Sequence, residues 1–227
     1  MKRSDWIVIL VVLFILAAFL WVPELASAYE NLNLKHGLWM SFAKFTLLST
    51  FGECLALRIK TGKYNRKGFG ILPRAIVWGF LGITIKMAFV IYAAGTPQLL
   101  MYLGWPEAVS ALTEPFSITA LLTAFSISVA MNLTYAPVMM TIHKITDTHI
   151  LENEGTLRGL FKPIALQRIF ANLDWKTQWN FVFKKTIPFF WIPAHTITFL
   201  LPVDYQVLFA ASLGIALGLI LSLAAQQ

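Results

Sequence analysis

The chain has 227 residues, 58% of them hydrophobic and 13% charged, with a mean hydropathy of +0.69. Soluble domains of this size carry about 25% charged residues, so the composition excludes a water-soluble globule and makes the bilayer the natural solvent. The net charge of +7 does not indicate nucleic acid: fifteen of the eighteen Lys and Arg residues lie at 2–3, 58–74 and 144–185, beside long apolar runs. There they orient membrane spans and meet anionic lipid, and no basic segment stands clear as a nucleic-acid-binding domain.

A membrane-crossing helix needs about 20 mostly apolar residues. In chain order, the first candidate covers residues 6–22, preceded by Lys2 and Arg3. Residues 1–30 fit either an uncleaved anchor or a secretory signal, since Ala26-Ser27-Ala28 has the small-x-small form of a cleavage site. Asp5 and the length of the apolar run favour the anchor. The second span covers 37–57 and contains Lys44 and Glu53; the third covers 71–94 and contains Arg74 and Lys86. The fourth, 116–142, is uncharged but carries Thr119, Thr123, Ser126, Ser128, Asn132 and Thr134. Residues 143–185 predict a cytoplasmic interfacial segment. From Pro163 onward, Leu166, Ile169, Phe170 and Leu173, then Trp175, Trp179 and Phe183, set an apolar side against cations, as in an amphipathic helix lying in the membrane surface. The fifth span, 186–202, holds Pro188, Pro193 and Pro202, which remove backbone donors and predict a bent or interrupted helix. The sixth covers 205–225.

The expected fold is therefore an all-α polytopic transmembrane bundle, a single integral membrane domain over 1–227. It has about six spans, or five if the N-terminal segment is cleaved, with one amphipathic interfacial helix. Basic segments on one side alternate with segments carrying Glu24, Glu30, Glu107, Glu114 and Asp204 on the other across every span, which places both termini in the cytoplasm if the first span is kept. The expected location is a bacterial cytoplasmic (inner) membrane.

Ionisable groups inside spans are costly and mark candidate function. Lys44 and Lys86 fall at similar depth, in the outer halves of their spans. Glu53 lies about two and a half turns from Lys44, on a nearly opposite face, and His195 falls near the midplane. Lys44, Glu53, Lys86, Asn132 and His195 are the candidates for a polar path or pore. The alternative is that the lysines snorkel outward, Glu53 reaches the basic edge, and the polar residues join helices. Gly79 and Gly82 share a stripe with Lys86 where a neighbouring helix can approach, and Ala210, Gly214, Gly218 and Ser222 form a second small-residue stripe, for packing within the monomer or in a homo-oligomer.

Catalysis and cofactors are not expected. His143, Asp147, His149 and Glu152 are metal-capable residue types, but His149 is off the face shared by His143 and Asp147, and a solvated span end is the preferred reading. The sequence has no phosphate loop, no H-E-x-x-H and no serine elbow. Cys54 excludes an internal disulfide and reads as a packed apolar side chain.

Several short elements stand in a familiar order. Gly52-Glu53 with Ala56 resembles G-D-x-x-A-Q, and Pro73 with Trp78 resembles G-P-x-x-H-x-W-Y. Met131-Asn132 with Pro137 has the spacing of D-Q-x-x-x-x-P. Trp191, Phe199, Pro202, Tyr205 and Leu221-Ser222 follow W-P-x-x-Q-x-x-N-F, P-x-x-Y-R and Y-L-S, with His195 at the glutamine and Gln206 at the arginine. Over residues 40–222 the chain thus resembles the Mpv-seventeen / twenty-two-kilodalton peroxisomal membrane protein family. The resemblance implies a small helical membrane protein, in a family suggested to form pores or move small solutes. The leading expectation is a channel or carrier for small solutes; the alternative is a non-transporting scaffold that organises lipid or a protein partner.

Overall fold

The structure is a computed structural model that describes the backbone of residues 2–224 and the side chains up to residue 218. It is all-helical, with no strand among the described residues. Among the described residues, three helices are long and apolar enough to cross a membrane: α1 (Arg3–Trp21), α4 (Ile71–Tyr102) and α5 (Ile118–Glu152). The described residues form two compact units, 1–40 and 41 onward.

In the first unit, no side chain of α1 is buried, and Phe14, Leu20 and Trp21 are at least three-quarters exposed. Such an apolar surface has no favourable contact with water. Pro23 starts α2 (Pro23–Lys35), at the position where its missing amide costs nothing. Residues expected to form an external loop, Ala26–Ala28 among them, are therefore helical.

The second unit is built around α3 (Gly37–Thr61), α4, α5, α9 (Ile192–Leu200) and α10 (Val203–Ala224). Its core gathers Phe45 from α3, Ile85 and Phe89 from α4, Ile127 and Met131 from α5, Phe199 from α9 and Ala211 from α10. Ser117 starts α5, its hydroxyl accepting from the Ala120 amide at 3.1 Å. At about 1.5 Å per residue, the 35 residues of α5 extend roughly 50 Å, well beyond a hydrocarbon core of about 30 Å. Its last three turns, from His143 onward, therefore stand outside the stretch expected from the sequence.

Small residues set the helix spacing. A Cβ at Gly79 would sit 2.5 Å from the Phe42 ring and the Thr46 hydroxyl, and one at Gly82 would sit 2.7 Å from Phe45. The α4 glycines thus admit α3. On the other side of α3, a Cβ at Gly52 would lie 3.1 Å from the Ile215 backbone, and one at Gly218 would lie 3.4 Å from the Gly52 carbonyl oxygen. The Gly214–Gly218 stripe therefore packs against α3 within one chain; the side chains of Leu221 and Ser222 lie outside the described residues. At one end of the unit, Gly70 (φ +73°) and Gly155 (φ +65°) meet backbone to backbone, joining the 62–70 loop to the turn after α5.

The segment after α5 departs from expectation. No single interfacial helix forms; α6 (Leu157–Leu160), α7 (Leu166–Ala171) and α8 (Trp175–Thr177) are short. Ile169 and Leu173 are buried against Ile145 of α5, with Trp175 beside them. The extension of α5 thus covers Ile169 and Leu173, while Leu166 and Phe170 on the same segment stay exposed. The Asp174 carboxylate accepts from the Thr177 amide and hydroxyl, at 3.0 and 2.6 Å, which starts a new helix and holds the carboxyl below its usual pKa. From there the chain runs as a π-helix (Gln178–Trp191) directly into α9. Trp179 and Phe183 belong to this run. Pro188 and Pro193, both without an amide donor, bracket the change from π to α winding.

Gly82→Ala should lower stability by about 1–3 kcal/mol, because the new methyl group overlaps Phe45 at a core contact. Gly95→Ala, with open space around its Cβ position, should be neutral or stabilising by about 1 kcal/mol. Thermal unfolding of the two variants in detergent measures the difference.

Candidate functional site

α3, α4, α5, the π-helix, α9 and α10 enclose a cavity of about 390 Å³. Its walls are mostly apolar, with Phe45, Ile85, Phe89, Met131, Met139 and Leu217 among them. Polar groups reach it at two levels.

The first level is an ion cluster joining three helices. Arg74, in the first turn of α4, donates from Nη1 to Glu53 Oε2 of α3 and to Asp147 Oδ1 of α5, each at 2.6 Å. Its Nε donates to the Phe69 carbonyl at 2.8 Å, and its guanidinium lies 4.5 Å from the Phe69 ring centre. Trp78 Nε1 donates to Glu53 Oε1 at 2.8 Å, and His143 Nε2 stands 3.1 Å from the same oxygen. The Trp78 and His143 rings are 4.4 Å apart. Arg74 is only 6% exposed, and Glu53 and Asp147 under 20%. Burying charge at this depth is costly, and the bonds of Arg74 to both carboxylates and of Trp78 and His143 to Glu53 offset that cost.

Glu53, His143 and Asp147 offer ligand atoms within 4.8 Å of one another and could in principle hold a metal ion. Arg74 already places a positive charge against both carboxylates, which fills that electrostatic role. The other metal-capable residues lie elsewhere. His149 Nε2 lies 3.0 Å from the Gly159 carbonyl oxygen, and Glu152 accepts both ends of the Arg168 fork.

The second level lies deeper, on α5 and α9. Asn132, with no exposed surface, places its amide beside His195 Nδ1, with Nδ2 at 3.0 Å and Oδ1 at 3.2 Å. Its Nδ2 also faces the Ser128 carbonyl at 2.9 Å and the Ser128 hydroxyl at 3.2 Å. Ser128 Oγ donates across to the Ile192 carbonyl at 2.8 Å, as does Thr196 Oγ1. The His195 ring stacks on Trp191, with centroids 5.2 Å apart, and meets the edge of Phe89 at 5.7 Å.

Of the residues singled out in the sequence, Glu53, Asn132 and His195 line this one cavity. Lys44 and Lys86 do not. Lys44 is buried and within electrostatic reach of Lys86 and of Asp204, at the start of α10. The two lysines thus do not line this cavity with His195; their acidic neighbour is Asp204 on α10. The sequence reading counted Arg74 among loop cations, and treated His143 and Asp147 as a solvated span end. The available signal was depth: Glu53 lies near the inner end of one span and Arg74 near the inner start of the next. No protein-family model, curated protein or solved structure matches the chain.

Arg74→Met should destabilise by about 3 kcal/mol, because it leaves two partly buried carboxylates facing each other. Neutralising those partners as well, in Arg74→Met/Glu53→Gln/Asp147→Asn, should recover most of the loss. Unfolding midpoints of the single and triple variants in detergent check both statements.

Proposed function

We propose that this is an integral membrane protein that moves small solutes through a cavity between its helices, as a channel or carrier. The observation that carries the reading is the cavity itself. It lies between the long helices α4 and α5 and their neighbours, and its mostly apolar wall is interrupted by the Glu53–His143–Asp147 cluster, the Asn132–His195 pair and single polar side chains such as Ser49, Lys144, Gln178 and Thr186. Pockets of this kind fix a small molecule by a few placed polar atoms. Further support comes from the residues on which the family resemblance rests. Glu53, Trp78, Asn132, Trp191 and His195 are far apart in the chain and all line the same space. The family's suggested role in moving small solutes is thereby proposed for this chain too.

In this reading α1, α3, α4, α5, the π-helix with α9, and α10 are six crossings, with the basic clusters and both termini in the cytoplasm of a bacterial cell. The scaffold alternative is weaker. The Gly214–Gly218 stripe it would use for association is already engaged with α3.

The purified protein in liposomes should pass small solutes faster than protein-free vesicles. Met139→Trp should remove most of that flux by filling the cavity while leaving the ion cluster intact. Absence of flux for a panel of ions and small metabolites would sink the transport reading. Single cysteines placed in a Cys54→Ser background test the topology. Those at Lys63 and Lys162 should label only from the cytoplasmic side, and those at Glu107 and Glu114 only from the opposite side.

A further inference from the structure

The hydrogen bonds of Asn132 favour one protonation pattern of His195 over the other. With Nδ1 protonated, His195 donates to Asn132 Oδ1, and the two hydrogens of Asn132 Nδ2 go to the carbonyl and the hydroxyl of Ser128. Every polar atom of the buried amide is then satisfied. With Nε2 protonated instead, Nδ1 takes one Nδ2 hydrogen and Oδ1 has no donor. A buried acceptor left in that state costs about 1–3 kcal/mol. On that ground the first arrangement is favoured, although Nδ1 lies 3.0 Å from Nδ2 and 3.2 Å from Oδ1, and it leaves Nε2 as a bare lone pair. His195 is 8% exposed and lines the cavity, and its Nε2 makes no hydrogen bond among the described residues.

We propose that His195 Nε2 is the recognition atom of the cavity, an acceptor presented to an uncharged, largely apolar molecule with a hydroxyl head. The proposal rests on the cavity reading above and names its ligand class. The walls around the ring select the rest of the molecule. Trp191 and Phe89 flank His195, and Met131, Ile85 and Phe45 continue the apolar lining. A charged head is disfavoured on two grounds. Beside the His195 ring the walls are Trp191 and Phe89, which penalise an ion without a partner; the charged lining residues Glu53, Lys144 and Asp147 belong to the other level, where both oxygens of Glu53 are already engaged by Arg74, Trp78 and His143. Asn132 is a positioning residue here: it sets the tautomer and holds the ring in plane for the incoming O–H, as second partners do for other functional histidines.

The test uses the full chain in detergent and three probes with one bicyclic body: 2-naphthol, which has a donor; 2-methoxynaphthalene, which keeps the oxygen without the donor; and 2-naphthylmethylamine, which is cationic. Equilibrium binding is corrected for uptake by protein-free micelles. The unaltered protein should prefer 2-naphthol over the methyl ether by about tenfold, the value of one satisfied buried hydrogen bond. His195→Phe retains a flat ring between Trp191 and Phe89, and should shrink the preference to within about twofold. Nitrogen-15 spectra of the unaltered protein should show His195 protonated at Nδ1 and bare at Nε2, with the Nε2 signal moving when 2-naphthol is added and not with the ether. Equal binding of naphthol and ether, a preference that survives His195→Phe, a proton resident on Nε2, tighter binding of the amine, or no binding at all overturns the proposal. Should His195→Phe fail to fold, the spectra of the unaltered protein decide alone. The readout is at equilibrium, so absence of flux in liposomes counts against transport without touching the donor preference, and the reverse also holds.

Discussion

One guanidinium holds one end of the helical unit together. Arg74 of α4 bonds α3 and α5 at once, through Glu53 and Asp147, and also the Phe69 carbonyl, while Glu53 in turn takes bonds from Trp78 and His143. Its fork geometry matters: a lysine carries the same charge but lacks the spread of donors to satisfy a carbonyl and two carboxylates from one place. Because the charges are largely buried, the arrangement is close to all-or-none. Each partner removes the desolvation cost of the others, and the loss of one leaves the rest stranded. The cluster also explains why the cavity ends where it does. Glu53, His143 and Asp147 line that end, and the bonds that satisfy them fix the separation of the three helices.

Above that level, the bundle is spaced by absences of side chain. Gly79 and Gly82 bring α3 against α4, and Gly52, Gly214 and Gly218 bring α3 against α10. α3 is thus held closely on two sides. In a lipid setting there is little hydrophobic drive to associate helices, so close backbone approach and interhelical hydrogen bonds carry more of the packing. The Ser128 hydroxyl reaching the Ile192 carbonyl is a bond of that kind, tying α5 to the start of α9. The tight α3 contacts and the α5–α9 bond leave the space between them unfilled, and that space is the cavity.

The sequence carried the all-helical class and the long apolar stretches, because hydropathy reports directly on the solvent a segment needs. It also singled out Glu53, Asn132 and His195, since polar groups in apolar runs stand out by cost alone. What it could not convey was partnership. Glu53 and Arg74 are 21 residues apart, and Arg74 and Asp147 are 73 apart; nothing local to either records which helices become neighbours. The reading of 163–185 as one interfacial helix failed for a similar reason. Ile169 and Leu173 have the periodicity of a lipid-facing side, but their apolar surface is taken by Ile145 on an α5 that runs ten residues past its expected end. Periodicity shows that a face is apolar and leaves open what covers it.

The winding of residues 178–191 gives the prolines of this region a purpose beyond bending the chain. Gln178, Val182, Thr186, Trp191 and His195 all line the cavity. On a regular α-helix, at about 100° per residue, the step from Gln178 to His195 would leave the side chain about 100° off the starting face. The π-helix makes i→i+5 bonds and turns more slowly, at about 4.4 residues per turn, so positions four and five apart stay in register. Gln178, Val182, Thr186 and Trp191 therefore remain on one side, and α9 then adds His195 one turn beyond Trp191. Pro188 and Pro193 cannot donate to an α ladder, which lowers the cost of the wider winding where it is used and ends it at α9. The interruption expected from the prolines is thus a change of pitch instead of a break, and the change of pitch keeps the recognition ring of His195 and its stacking partner Trp191 on the same wall as the rest of the lining.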